Sequence, residues 1–265
     1  MLFLLSDFTI ITHEFPNRED IHIYAVGDLH LGSAEHMRKE WDAFLKRILE
    51  DPHGYVILVG DLINNSTRNS VGNGVFEDLL TPSEQVEVIT EQLKPLSERI
   101  LASVSGNHCD RTMKDCGFNV SYDIAVRLGI QHLWRDNIAF VRIRMGDKDA
   151  KGTKNPTYML TVVHGNGGGK KTGSAVNNAV DFANIIEGND CLVLGHTHKP
   201  YVTQGSKLFI DTRNNQVSFK PYKVVSVTSW LQYGGYAAKK MLPPTGHSPQ
   251  IITLCGTRKE MLVSM

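Results

Sequence analysis

Asp28 and His30 follow the run IHIYAVG, Asp61 follows YVILVG, and Asn107 and His108 follow ILASVSG. His164 closes MLTVVH, and His196 and His198 follow CLVLG. All five runs are short, apolar and β-like, and four of them meet a glycine before the polar residue, which is how a buried strand leaves its sheet. In an open α/β sheet the carboxyl ends of the strands face one crevice, so these residues are expected to converge there. What converges is two carboxylates, an amide oxygen and four imidazoles, besides His108. Nitrogen and oxygen donors without thiolate suit Mn²⁺, Fe or Zn²⁺, and they outnumber the four or so that a single tetrahedral site takes. Two divalent ions sharing a bridging carboxylate would use them all. Ions about 3.5–4 Å apart can clamp a phosphoryl oxygen and acidify a bridging water into a nucleophile.

The elements that must place these residues read as βαβαβ in the first half, hence a largely parallel sheet with helices outside. Helical spacing runs over 35–51, 82–100 and 119–130, with Pro82 at a first-turn position and Thr81 before it as a cap. The second half is richer in strands: NIAFVRIRM, TYMLTVVHG, CLVLGH, KLFI, VVSVTSWL and QIITL, with one more helix over about 175–187. This layout predicts an α/β fold of two packed mixed β-sheets flanked by helices. No repeat and no linker is visible, so residues 1–265 are expected to form a single domain. The least structured stretches are NNSTRNSVGNGVFEDLL after Asp61 and GNGGGKKTGS after His164.

Composition narrows the partners. Lys plus Arg and Asp plus Glu both number 28, so no global positive field recruits nucleic acid or a membrane, and such a partner needs a local patch. The four cysteines, Cys109, Cys116, Cys191 and Cys255, form no C-x-x-C pair and read as reduced thiols of a cytoplasmic protein. The opening MLFLLSDFTI is too short in apolar residues for a signal peptide or a spanning helix, and is expected to be a strand.

GDLH, GD with Asn64 three residues on, GNH, VVHGNG and GHTH, in that order, resemble the five signature blocks of the calcineurin-like metallophosphoesterases. The blocks span 28–198, leaving C-terminal strands and a tail over 199–265. The resemblance implies a four-layer αββα sandwich and two divalent ions, Mn²⁺ first, with Zn²⁺, Fe or Ni²⁺ as alternatives. It implies one ion on Asp28, His30, Asp61 and His198, and a second on Asp61, Asn107, His164 and His196, with Asp61 the bridge. His108 would protonate the leaving oxygen, a contribution of roughly 10²–10⁴-fold, while a hydroxide held between the ions attacks phosphorus in line.

This sequence departs from the family pattern twice. The usual GNHD or GNHE is here GNHCD, so Cys109 takes the carboxylate's place and Asp110 is the candidate to orient His108. The second block continues GDLINNS rather than GDxxDRG, with Asn64 for the aspartate, so Arg68 or Arg111 must supply any guanidinium for the phosphate. The stretch GGGKKT fails the P-loop pattern, which needs a glycine at His164 and Ser or Thr at Lys171. Asn64, Lys170 and Lys171 remain candidates for binding substrate, as do the loop's backbone N–H groups. His13, His22, His36, His53, His132 and His247 read as structural.

The expected activity is hydrolysis of a phosphodiester, with a nucleotide or single-stranded nucleic acid as substrate. The alternatives are a phosphomonoesterase acting on a small molecule or phosphoprotein, and an inactive binding or scaffold protein on the same fold. The stretches GGGKKTG and LQYGGYAAKKMLPPTG resemble small phage and prophage members, which places the protein in a bacterial or phage-infected cytoplasm, with no membrane partner.

Overall fold

The computed structural model describes residues 8–70, 74–146, 155–167 and 171–265. Strands β1 (Ile10–Phe15) and β2 (Ile21–Val26) lead to helix α1 (Arg38–Glu50). Strand β3 (Gly54–Leu58) leads to the single turn α2 (Gly74–Glu77) and to α3 (Pro82–Leu93), and β4 (Ile100–Val104) to α4 (Cys109–Cys116) and α5 (Val120–Arg127). There follow β5 (Trp134–Arg135), β6 (Ile138–Met145), β7 (Thr157–Val163), α6 (Thr172–Ile185) and β8 (Cys191–Leu194). The chain closes with β9 (Tyr201–Asp211), β10 (Gln216–Ser226), α7 (Gly235–Lys239), β11 (Ile251–Leu254) and β12 (Met261–Ser264).

These strands make two mixed sheets of six, ordered β12-β11-β2-β3-β4-β5 and β1-β6-β7-β8-β10-β9. Strands β2 to β5 run parallel, as do β7, β8 and β10, so two sets of carboxyl ends are available to one crevice. Alternate side chains of both sheets, Ile23, Val56, Val141, Val193 and Val225 among them, share one core. Outside it, α1 presses Trp41, Phe44 and Ile48 onto the first sheet, and α6 lays Ala175, Ala179 and Ala183 on Leu192, Leu194 and Val224 of the second. Helices on both outer faces and sheets inside are the architecture the strand pattern predicts.

Local chemistry explains the boundaries. Thr81 and Glu84 exchange hydrogen bonds as a capping box with Pro82 at the first turn, a device worth about 1 kcal/mol, and α3 starts there. It ends at Leu93 in a 3₁₀ turn over Lys94–Arg99 that feeds β4, so the helix expected over 82–100 is shorter than its apolar pattern.

Two other readings need correction. KLFI lies toward the end of an eleven-residue β9, whereas only Val224–Ser226 of VVSVTSWL lie in β10. Beyond Ser226 the chain leaves the sheet, because the Trp230 amide donates to the Asp28 carbonyl. Residues 109–116, to which the sequence pattern assigns no element, form α4. The strand expected at the start falls mostly outside the described residues, and the first described strand begins at Ile10.

Candidate metal centre

Asp28, Asp61 and Asn107 follow β2, β3 and β4, three neighbouring parallel strands, while His164 and His196 follow the parallel pair β7 and β8 of the other sheet. The turns that deliver them are unusual. Asp28, His30, Asp61, His196 and His198 all have φ between 47° and 69°, in the left-handed region that non-glycine residues enter at a cost of order 1–3 kcal/mol. Only eight non-glycine residues among those described have positive φ, and five of them are these. Strain concentrated this way marks a place where direction matters more than local comfort. Close approach matters too: a Cβ on Gly106 would overlap the Asp61 carboxylate, and one on Gly195 would lie 2.9 Å from Asp28 Oδ2.

The ligand atoms of Asp28, His30 and His198 lie within 4.8 Å of one another, as do those of Asp28, Asp61 and His164, and those of His30, Asp61 and His108. His30 Nε2 faces His198 Nε2 at 3.0 Å. On the other side Asn107 Oδ1 meets both His164 Nε2 at 2.9 Å and His196 Nδ1 at 2.7 Å, and His164 Nε2 is 3.1 Å from Asp61 Oδ2. The His164 ring is held from behind by the Val59 carbonyl at Nδ1, which leaves Nε2 facing the cluster.

The donor set fits a metal on an observation independent of sequence. Asp28 Oδ2 and His30 Nδ1 are fully buried and have no hydrogen-bond partner, and a buried unpaired carboxylate oxygen is costly unless a cation reaches it. Burial lifts the Asp28 carboxyl to about 7, with the nearby Asp61 charge adding to the rise and His164 opposing it. Burial pushes Asp61 the same way, but the charges of His164 and His108 overcome it and hold that carboxyl far below the usual range. His164 is lifted to about 9: burial opposes the charged ring, and the Asp61 carboxylate outweighs burial. The other imidazoles are driven toward neutrality, as ligation requires, first by burial: His198 to about 4, His30 well below its usual value, and His196 downward.

His108 sits beside this cluster with both ring nitrogens engaged. Nδ1 is 2.8 Å from the Asn64 carbonyl and Nε2 is 2.8 Å from Arg111 Nη2. A guanidinium only donates, so Nε2 accepts and the ring proton lies on Nδ1, donated to Asn64. Burial lowers His108 to about 4, the Asp61 carboxylate opposes this, and the Arg111 charge adds to it. Arg111 Nη1 donates to the same Asn64 carbonyl at 2.8 Å. The orienting contact on His108 is therefore a backbone carbonyl, whereas Asp110 is exposed on the first turn of α4.

The remaining candidates divide. The Asn64 amide donates to Ser66 and to Asp78 Oδ1, so this residue serves the centre through its carbonyl rather than its side chain. Arg111 reaches the cluster. Arg68 is exposed, with no contact to the cluster among the described residues. Lys171 is exposed at the N-cap of α6, and Lys170 lies outside the described residues. Cys109 is buried, and burial pushes its thiol up to about 12, which leaves it an inert packing group.

One residue escaped the sequence reading. Asn65 is fully buried at φ 46°, takes Gln85 Oε1 on its amide N–H, and donates its side chain to the His108 carbonyl and Thr112. It pins α4 to the loop after β3. Asparagine's tolerance of the left-handed region was the only available signal. A cavity of about 500 Å³ opens beside the centre between α6 and its sheet, lined by Val163, Gly165, Asn166, Asn178, Phe182 and Thr197 among others.

A metallophosphoesterase from Sphaerobacter thermophilus is 16% identical over 92% of this chain and 89% of its own, with a TM-score of 0.41. Chaetomium thermophilum Vps29 is 10% identical over 92% and 94%, with a TM-score of 0.41. A predicted phosphoesterase from Streptococcus pneumoniae TIGR4 is 12% identical over 92% and 98%, with a TM-score of 0.32. No curated protein matches the sequence. Residues 21–200, more than half of the chain, match the model of the calcineurin-like phosphoesterases, and the chain belongs to that family.

Proposed function

We propose that this protein hydrolyses phosphate esters with two divalent ions, one on Asp28, His30, Asp61 and His198 and the other on Asp61, Asn107, His164 and His196. The observation that carries the reading is the convergence of donors from four strand ends around Asp28, whose buried Oδ2 has no partner. Bound there, divalent ions supply Lewis acidity toward the phosphoryl group and toward the attacking water. Arg111 supplies the guanidinium for the substrate's phosphate, a role its contact with His108 Nε2 supports. Its transfer from His108 Nε2 to that phosphate frees the ring to face the leaving oxygen.

Phosphodiesters are the preferred class. Among the described residues a single guanidinium touches the cluster, which suits a monoanionic diester better than a dianionic monoester. The adjoining cavity is lined by asparagines and apolar side chains and suits the organic part of a nucleotide or a single-stranded nucleic-acid end. Protein stripped of metal and reloaded with Mn²⁺, Zn²⁺, Ni²⁺ or Mg²⁺ is expected to cleave bis-p-nitrophenyl phosphate faster than p-nitrophenyl phosphate. Cyclic nucleotides and single-stranded DNA then rank the natural classes. Failure to cleave either ester with every metal, or a His108→Ala variant indistinguishable from the parent, would sink the proposal.

A further inference from the structure

The hairpin of β9 and β10 runs past the body of the molecule. Its register pairs Val202 with Val225, Gln204 with Lys223, Ser206 with Pro221, Leu208 with Phe219 and Ile210 with Val217, all on one face. At the base this face is core: Val225 is fully buried between the sheets. Toward the tip the same face carries Leu208, Phe219, Ile210 and Val217, exposed at 69%, 74%, 69% and 65%. The core face of one sheet therefore continues beyond its cover, with Lys223 marking the boundary. The opposite face is accounted for, since Lys207 donates to the last carbonyls of α6 and Lys220 lies over the Phe209 ring.

We propose that this array is an interface with a second copy of the chain, the two ribbons packed face to face about a two-fold axis. Four apolar side chains without charge or hydrogen-bonding groups are self-complementary, as an isologous contact requires. Two such faces stack about 10 Å apart as sheets do, with Phe219 the large anchor of each. They remove roughly 450 Å² per copy, and with the flanking Ser206 and Pro221 the total reaches about 1,000 Å², the lower bound for specific association. The dimer is accordingly concentration-dependent.

Sedimentation velocity of the full chain from about 1 to about 200 µM tests it. The expected result is a mass rising toward the dimer, with association weakened at least ~10-fold in Phe219→Glu and in Leu208→Glu while the circular dichroism and thermal midpoint stay unchanged. Three outcomes overturn the proposal: a monomer throughout, a dimer that both substitutions leave intact, and a monomer that instead sediments with phosphatidylcholine–phosphatidylglycerol vesicles.

Discussion

Gly27-Asp28 and Gly60-Asp61 are the same sequence device at the ends of adjacent parallel strands, yet their carboxylates arrive at opposite electrostatic states. Asp61 is satisfied from within: Oδ1 accepts the His108 amide at 2.9 Å and Oδ2 faces the His164 ring. Asp28 has one such bond, from the His196 amide at 3.0 Å, and an orphaned second oxygen. The histidine that charges at about 9 lies against Asp61, so this half of the centre carries its own cation while the other half lacks one. Two identical carboxylates a strand apart are thus distinguished by the imidazoles that the second sheet aims at them.

The largest effect expected follows from the bridging role proposed for Asp61. Asp61→Ala should take bound metal, measured by elemental analysis, from about two ions per chain toward zero, and activity down by ~10³ or more. Loss of one ion only would break the sharing. His108→Ala is expected to lower kcat by roughly 10²–10⁴-fold with metal content unchanged, because that ring is outside both proposed ligand sets. Arg111→Ala should appear chiefly in KM, raised about 10–100-fold, the scale of one lost charged hydrogen bond, and Arg111→Lys should recover part of it.

Stability probes the same contrast more gently. Mn²⁺ at about a hundred times its dissociation constant should raise the thermal midpoint by about 5 °C or more, and by less in Asp28→Ala. The smallest effect concerns metal-free protein. The Asp28 carboxyl sits at about 7 when folded against an ordinary 3.8, so the folded state binds its proton more tightly, and stability falls as pH rises through that window. Asp28→Asn removes that slope. It should stabilise the metal-free protein above pH 7 by on the order of 1 kcal/mol and change nothing below 3.8, as thermal melts across pH would record. A variant less stable at every pH would refute this account of the orphaned oxygen.

Much of this centre was legible in the chain because a strand that ends in glycine and then a polar residue states where it stops. The parallel order of β2, β3 and β4 then follows from the helices between them. Left-handed turns at Asp28 and His30 leave no trace in residue type beyond the mild tolerance of Asp and His. Helix α4 was hidden because it is only eight residues long and CDRTMKDC has a single residue, Cys109, to bury. The outer half of β10 was hidden for the converse reason: its alternation lies in Val217 and Phe219, apolar residues without a core behind them. Asp110 looked like the orienting group because sequence shows side chains, and the contact comes from main chain.

That last point has a consequence for mutational scanning. The Asn64 carbonyl receives both His108 Nδ1 and Arg111 Nη1. Because every residue has a carbonyl, no substitution at position 64 deletes it. Exchanging the side chain perturbs it only by releasing the tethers to Ser66 and Asp78, so a scan would score Asn64 as a modest loop residue. The acceptor shared by His108 and Arg111 would go unseen, and only a change of backbone direction, such as an inserted residue between Asp61 and Asn65, would expose it.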